Sequence, residues 1–187
     1  SKTTGGQTTT YQYDALGRRV KKISYVDASG TPLSTPRETR FIYDKASFLL
    51  LAELNSTNFL EKSFVYGVDL SQTKSGAGGI AGLVSITNHA TNKTLQPFFD
   101  TSGNVIALSD SSGVITATYR YDAYGNTIET SGADVAECNL RWSTKYLDQE
   151  TGLYYFGWRF YSPKLGRWTA RDPLEFVDGM NFYEAMG

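Results

Sequence analysis

The chain has 187 residues, a size that suits one domain or one contiguous part of something larger. Its 18 Lys and Arg against 19 Asp and Glu leave a net charge of -1, which argues against a general nucleic-acid-binding surface because phosphate neutralisation needs a clear positive excess. With one Cys (Cys138) and one His (His89) there is no intrachain disulfide and no clustered soft-metal ligand set, so neither a metal nor a cofactor is expected. Both residues read as packing or surface groups.

No apolar run approaches the ~20 residues that span a bilayer, so no membrane span is expected. The opening Ser1-Lys2-Thr3-Thr4-Gly5-Gly6 has neither an initiator Met nor an apolar signal segment, and reads as the start of an excised fragment. Thirteen Tyr, ten Phe, three Trp and eighteen Gly with two Met point to aromatic strands punctuated by turns.

In chain order, the first element is a strand carrying Tyr11-Gln12-Tyr13 into Asp14–Gly17, the first of five Asp-x-x-Gly segments. The others are Asp27–Gly30, Asp100–Gly103, Asp110–Gly113 and Asp122–Gly125. Asp in the first position accepts hydrogen bonds from the backbone N–H groups that follow, and Gly supplies the positive φ that closes a hairpin loop built on a type I turn. Arg18, Arg19, Lys21 and Lys22 make the only basic run. Positive charge on an exposed strand chiefly blocks edge-to-edge pairing, so the run is read as protective rather than nucleic-acid-binding.

Phe41-Ile42-Tyr43-Asp44 and Phe64-Val65-Tyr66-Gly67 keep the aromatic pair and lose the full turn. Residues 71–97 interrupt the repeat with Gly76-Ala77-Gly78-Gly79-Ile80-Ala81-Gly82-Leu83. As a phosphate cradle it fails, since Ala81 stands where the dinucleotide fingerprint needs its third Gly and no Gly-Lys-Ser/Thr follows. A tight strand with close backbone approach is the expectation there.

Phe98-Phe99-Asp100 and Tyr119-Arg120-Tyr121-Asp122 then resume the pattern. Between Val114 and Tyr121, Ile115, Ala117, Tyr119 and Tyr121 fall on one face and Thr116, Thr118 and Arg120 on the other, which is strand patterning. The turns follow one another at strand length: 13 residues from Asp14 to Asp27, 10 from Asp100 to Asp110, 12 from Asp110 to Asp122. The fold class is therefore all-β, an antiparallel meander of hairpins. Residues 130–137 read as a small polar linker.

The texture changes at Leu140. All three Trp (Trp142, Trp158, Trp168) lie beyond it, and the order runs Asp148-Gln149-Glu150-Thr151-Gly152-Leu153-Tyr154-Tyr155, Arg159-Phe160-Tyr161-Ser162-Pro163, Gly166-Arg167-Trp168, Arg171-Asp172-Pro173. This block resembles the Rhs core-associated segment, approximately Asp-x-Glu-Thr-Gly-Leu-Tyr-Tyr, Arg-Tyr-Tyr-Asp-Pro, Gly-Arg-Phe/Trp and Asp-Pro. Residues 78–83 and 119–126 resemble the tyrosine-aspartate (YD/Rhs) repeats upstream of it. The chain then divides into 1–137, repeat sheet, and 138–187, core-associated segment, with a short helix expected near Asn181–Met186.

The resemblance implies a structural role: such repeats form a β-strip that spirals into a hollow shell in secreted or surface bacterial proteins of the polymorphic and insecticidal toxin type, and the core-associated segment plugs one end. The partners implied are neighbouring repeats of the same parent chain and a C-terminal toxin cargo. It also implies aspartic self-cleavage at the Asp-Pro motifs, for which Arg171, Asp172 and Asp178 are the candidates, with Glu175 standing where the family usually has Gly. The scissile segment of relatives would fall after Gly187. A third reading is a carbohydrate-binding adhesion module using the interleaved rings and arginines of Trp158-Arg159-Phe160 and Gly166-Arg167-Trp168; its bland counterpart is a packed plug whose Arg stems lie across core rings. A strip this short is expected to collapse into a compact sheet, or to pair through its edges, rather than to seal a chamber.

Overall fold

The computed structural model describes residues 2–3, 6–171 and 183. The sheet of the meander has ten strands in chain order, every neighbour antiparallel: β3 (Thr9–Tyr13), β4 (Arg19–Val26), β5 (Pro32–Tyr43), β6 (Leu50–Leu54), β7 (Leu60–Tyr66), β8 (Leu83–Asn88), β9 (Lys93–Phe99), β10 (Val105–Ser109), β11 (Ile115–Tyr121) and β12 (Thr127–Ser131). A two-stranded pair, β1 (Lys2–Thr3) and β2 (Gly6–Gln7), precedes it. After two 3-10 turns, Val135–Glu137 and Trp142–Thr144, the C-terminal block forms a four-stranded antiparallel sheet of β13 (Tyr146–Asp148), β14 (Leu153–Tyr155), β15 (Phe160–Ser162) and β16 (Arg167–Trp168). The all-β antiparallel meander read from the sequence is the fold observed.

All five Asp-x-x-Gly segments are hairpin turns of one geometry. In each, Oδ1 of the Asp accepts from the backbone N–H two residues on and, again, four residues on: Leu16 and Arg18 at Asp14, Ser29 and Thr31 at Asp27, Ser102 and Asn104 at Asp100, Ser112 and Val114 at Asp110, Tyr124 and Asn126 at Asp122. The Gly closes each turn at positive φ, between 76° and 85°. Asn55–Asn58 reproduces the same turn without Asp or Gly: Asn55 Oδ1 accepts from Thr57 and Phe59, and Asn58 takes φ 64°. Sequence reading passed over it because Asn, which also tolerates this conformation, stands in both places.

The aromatic pairs carry a second regularity. Pairing register slips between Gln12 and Tyr13, Ile42 and Tyr43, Val65 and Tyr66, and Arg120 and Tyr121, each time at the second ring of the pair. A bulge there adds local twist before the turn. It keeps Tyr43, Tyr66 and Tyr121 against the same core that buries Phe41, Phe64 and Tyr119.

That core lies between one face of the large sheet and the C-terminal block. Phe41, Phe64, Leu83, Ile86, Leu95, Leu108 and Tyr119 form one buried cluster with Cys138, Leu140, Tyr146 and Tyr155. The opposite face leaves Ile42, Val65 and Val84 about half exposed. The C-terminal block thus packs against one face of the sheet.

Three expectations need correction. The glycine-rich residues 76–82 are turns, not a strand: the Asp69 carboxylate gathers the N–H groups of Ser71, Ala77 and Gly79, while Gly78, Gly79 and Ala81 take positive φ, which no strand accommodates. Residues 130–137 are not merely a linker, since β12 runs to Ser131 and a 3-10 turn begins at Val135. Of the basic run, Arg18 belongs to the Asp14 turn and the other three lie on β4, an interior strand, with Arg19 and Lys22 buried rather than guarding an edge. The helix expected near Asn181–Met186 lies outside the described residues apart from Tyr183.

Gly125 and Gly113 separate the two demands on a turn glycine. Both sit at positive φ, but a Cβ on Gly125 would come within 2.6 Å of the Trp142 ring, whereas Gly113 has nothing within 4 Å. Gly113→Val should cost roughly 1–3 kcal/mol of backbone strain. Gly125→Val should cost clearly more in urea melts, because Trp142 must move as well. Equal losses at the two positions would show that the Trp142 contact does not bear on stability.

Candidate functional site: the buried junction of sheet and block

The block is fastened to the sheet by a buried charge cluster. Asp148, the first residue of Asp148-Gln149-Glu150-Thr151-Gly152, ends β13 with its carboxylate wholly withdrawn from solvent. Arg19 Nη1 donates to its Oδ2 at 2.5 Å, Lys22 Nζ to its Oδ1 at 3.0 Å, and the Tyr11 hydroxyl to Oδ2 at 3.0 Å. Glu150 extends the cluster, accepting from Lys22 at 2.9 Å and from the Ser24 hydroxyl at 2.8 Å. All the donors come from β3 and β4, more than a hundred residues earlier.

Arg19 is itself fully buried, its guanidinium 4.5 Å from the ring centres of Phe41 and Tyr155 and 4.9 Å from that of Tyr146. Such an aromatic box suits a guanidinium better than an ammonium, because the ion is planar and weakly hydrated. Its backbone N–H donates to the Tyr155 hydroxyl at 2.8 Å. Burial by itself would raise the pKa of Asp148, but Arg19 and then Lys22 outweigh it and hold the carboxyl below the ordinary 3.8. Glu53, on β6 beside the cluster, goes the other way: burial outweighs the nearby Lys62 and lifts it above the ordinary 4.5.

The block also grips the turns, and among the described residues its hydrogen bonds to turn carbonyls fall at one end of the sheet. In a meander successive turns alternate ends, so Asp14–Gly17, Asp44–Ser47, the 67–82 loop, Asp100–Gly103 and Asp122–Gly125 share an end. Tyr155 donates to the Gly17 carbonyl at 3.4 Å, Lys145 to Gly78 at 2.7 Å, Thr144 to Gly103 at 2.7 Å, Tyr154 to Gly125 at 3.2 Å and Tyr161 to Tyr124 at 2.9 Å. Behind these donors, Trp142 stacks on Tyr161 at 5.1 Å and Phe156 meets Trp168 edge-on at 5.0 Å, contacts worth about 0.5–1.5 kcal/mol each beyond the area they bury. The turns with aromatic lead-ins are the capped ones.

Of the residues expected to act in self-cleavage, Arg171 follows β16 and is exposed, while Asp172 and Asp178 lie outside the described residues. Trp158 is 69% exposed and Arg159 lies over the Trp168 ring at 4.2 Å. Cys138 is buried, its thiol pushed up to about 11 by desolvation, and His89 shares a hydrogen bond with Ser63. Sequence reasoning passed over Arg19, Lys22 and Asp148 as partners. The alternation of β4 gave no such signal, since it puts Lys22, Ser24 and Val26 inward and Lys21, Ile23 and Tyr25 outward, and Arg19 is buried out of that parity. Among the described residues no helix is long and apolar enough to cross a membrane.

The model for the Teneurin YD-shell matches residues 1–184. The chain belongs to the Teneurin YD-shell family. It is 35% identical over 171 residues to the tRNA3(Ser)-specific nuclease WapA of Bacillus spizizenii, covering 91% of this chain and 6% of that protein. It is 28% identical over 187 residues to toxin subunit YenC1 of Yersinia entomophaga, covering 93% of this chain and 18% of the subunit. The crystal structure of TcdB2-TccC3 superposes with a TM-score of 0.68 over 98% of this chain and 9% of that one; at 24% identity it speaks for the fold alone. This YD-shell chain therefore spans a small part of the length of each relative.

Because its folded pKa is lowered, Asp148 contributes stability that is fully present above 3.8 and is lost as pH falls through the folded value. Asp14, Asp27 and Asp122 are lowered too, so comparison with a variant is needed to isolate Asp148. Asp148→Asn should destabilise by about 3–5 kcal/mol at neutral pH, the cost of breaking a buried pair, and should flatten the acid limb of stability against pH. A variant whose acid limb matches that of the parent would remove Asp148 from the account.

Proposed function

We propose that this chain is the closing segment of a β-shell in a larger secreted or cell-surface bacterial protein, with residues 1–137 as wall and 138–187 as plug. The observation that carries this reading is the one-ended capping: among the described residues the block hydrogen-bonds to turn carbonyls at a single end of the sheet, while turns such as Asp27–Gly30 and Asp110–Gly113 at the other end are largely exposed. A wall whose strands follow chain order can be extended by further repeats, and a cap at one end stops what lies inside from leaving there. Two of the relatives are named as a nuclease and a toxin subunit, which supports a toxin as the enclosed cargo.

Limited proteolysis of the parent protein tests this. A toxin segment attached to the shell should survive trypsin at concentrations that digest the isolated segment, and should become sensitive when Asp148→Asn loosens the plug. Equal digestion inside and outside the parent would rule the enclosure out.

For self-cleavage in the parent we propose Arg171, Asp172 and Asp178, two carboxylates that would share a site with a cation steadying them. Glu175 adds a third carboxylate nearby, which would raise its neighbours' proton affinity. The chain by itself should remain a single intact species by mass spectrometry over days near neutral pH. An internal cut that disappears in Asp172→Asn would make this segment an enzyme.

A further inference from the structure

At the end of the sheet that the block leaves uncapped, a cavity of about 230 Å³ opens between the β4–β5 hairpin and the Val135–Glu137 turn. Its floor is Lys22, Thr39, Glu53 and Tyr146, all buried, while Asp27, Ala28, Arg37 and Ala136 reach solvent at its mouth. The volume is far above the roughly 10–15 Å³ that one water occupies by such a measure, and nearer to what a small organic molecule needs.

Glu53 is 3% exposed; Tyr146 engages its carboxyl, and Oε1 is left without a hydrogen-bond partner. A buried oxygen left unsatisfied is unfavourable, so a ligand that hydrogen-bonds to it removes that cost. The carboxyl turns about a broad terminal torsion, which brings either oxygen to the cavity.

The walls narrow the choice of ligand. The cations of the floor are already spoken for, Lys22 by Asp148 and Glu150 and Lys62 by Glu137, while Arg37 stands exposed at the mouth with Glu61 3.8 Å away. A free anion therefore finds no uncommitted cation on the floor, where the Glu53 carboxyl also stands. An ammonium would have to enter beside Lys22, Lys62 and Arg37, the cations that bear on Glu53. A hydroxyl is donor and acceptor at once and meets Glu53 in either protonation state. Of the remaining polar groups, Ser24 donates to Glu150 while Asn139 donates to Tyr146 and accepts from Gln149, which leaves a ligand their unused donors and acceptors and the Thr39 hydroxyl.

We infer that this cavity is a binding site for a neutral polyhydroxylated molecule of monosaccharide size, with Glu53 as its central hydrogen-bonding group. The site is separate from Trp158, which lies beside the Asp14–Gly17 turn at the capped end.

Ligand-observed saturation-transfer NMR on the intact chain tests it, using D-glucose, D-galactose, N-acetylglucosamine and myo-inositol at about 10 mM, enough to reveal the millimolar Kd expected of so small a ligand. Methylammonium and inorganic phosphate serve as counter-probes. At least one of the four should bind, and Ala136→Trp, which blocks the mouth without touching the floor, should weaken it at least about tenfold, or 1.4 kcal/mol. Glu53→Leu should do the same without lowering the melting temperature, and Trp158→Ala should leave binding unchanged. The inference is overturned if none of the four binds, if methylammonium or phosphate binds instead, or if binding survives Ala136→Trp or is lost with Trp158→Ala.

Discussion

A carboxylate cannot stay ionised in a protein interior unless other groups replace the water it has lost. Asp148 is such a carboxylate, and its replacements, Arg19, Lys22 and Tyr11, sit on the first two strands of the large sheet. The C-terminal block can therefore seat in one place only, with Asp148 over β3 and β4. Once it is there, the rings of Phe41, Tyr146 and Tyr155 close around Arg19, and the block's hydroxyls reach the carbonyls of the turns. Buried ion pairs seldom add much net stability over apolar packing; here the pair supplies register, which an apolar contact between two flat aromatic surfaces would leave loose.

The sheet meets the block halfway. Each Asp-x-x-Gly turn satisfies its own N–H groups through the Asp, so its carbonyls remain available at the rim. Because turns alternate ends, aromatic lead-ins on alternate turns place every such rim on the same side. The block's Tyr154, Tyr155 and Tyr161 then act as pegs, rings in the core and hydroxyls on the turn carbonyls. This is how a repeat whose units contact mainly their neighbours acquires a long-range lock, and how a strip of sheet gains a closed end.

Much of this was legible in the sequence. The five turns, their glycines and the alternation of β11 were read correctly because turn chemistry is local and hairpins need no distant partner. Resemblance located the C-terminal block for a similar reason, since its motifs are contiguous. What could not be read was the pairing of Asp148 with Arg19, because charge complementarity over that sequence separation leaves no periodic trace. The basic run misled for a physical reason: with β4 inside the sheet, Lys22 and Ser24 face inward and Ile23 outward, opposite to the usual polarity. Gly76–Gly82 misled because a glycine-rich stretch suits a tight strand and a chain of turns equally well, and only the Asp69 carboxylate decides between them.

The coupling between Asp148 and Arg19 is the contact on which the seating of the block depends. A double-mutant cycle with Asp148→Leu, Arg19→Met and the pair together, read by urea melts at neutral pH, measures it directly. Each single change should cost about 3–5 kcal/mol, since each strands a buried charge, whereas the double variant should recover a large part of that loss. Losses that simply add would contradict the account, showing that the two side chains share a neighbourhood without holding the block to the sheet.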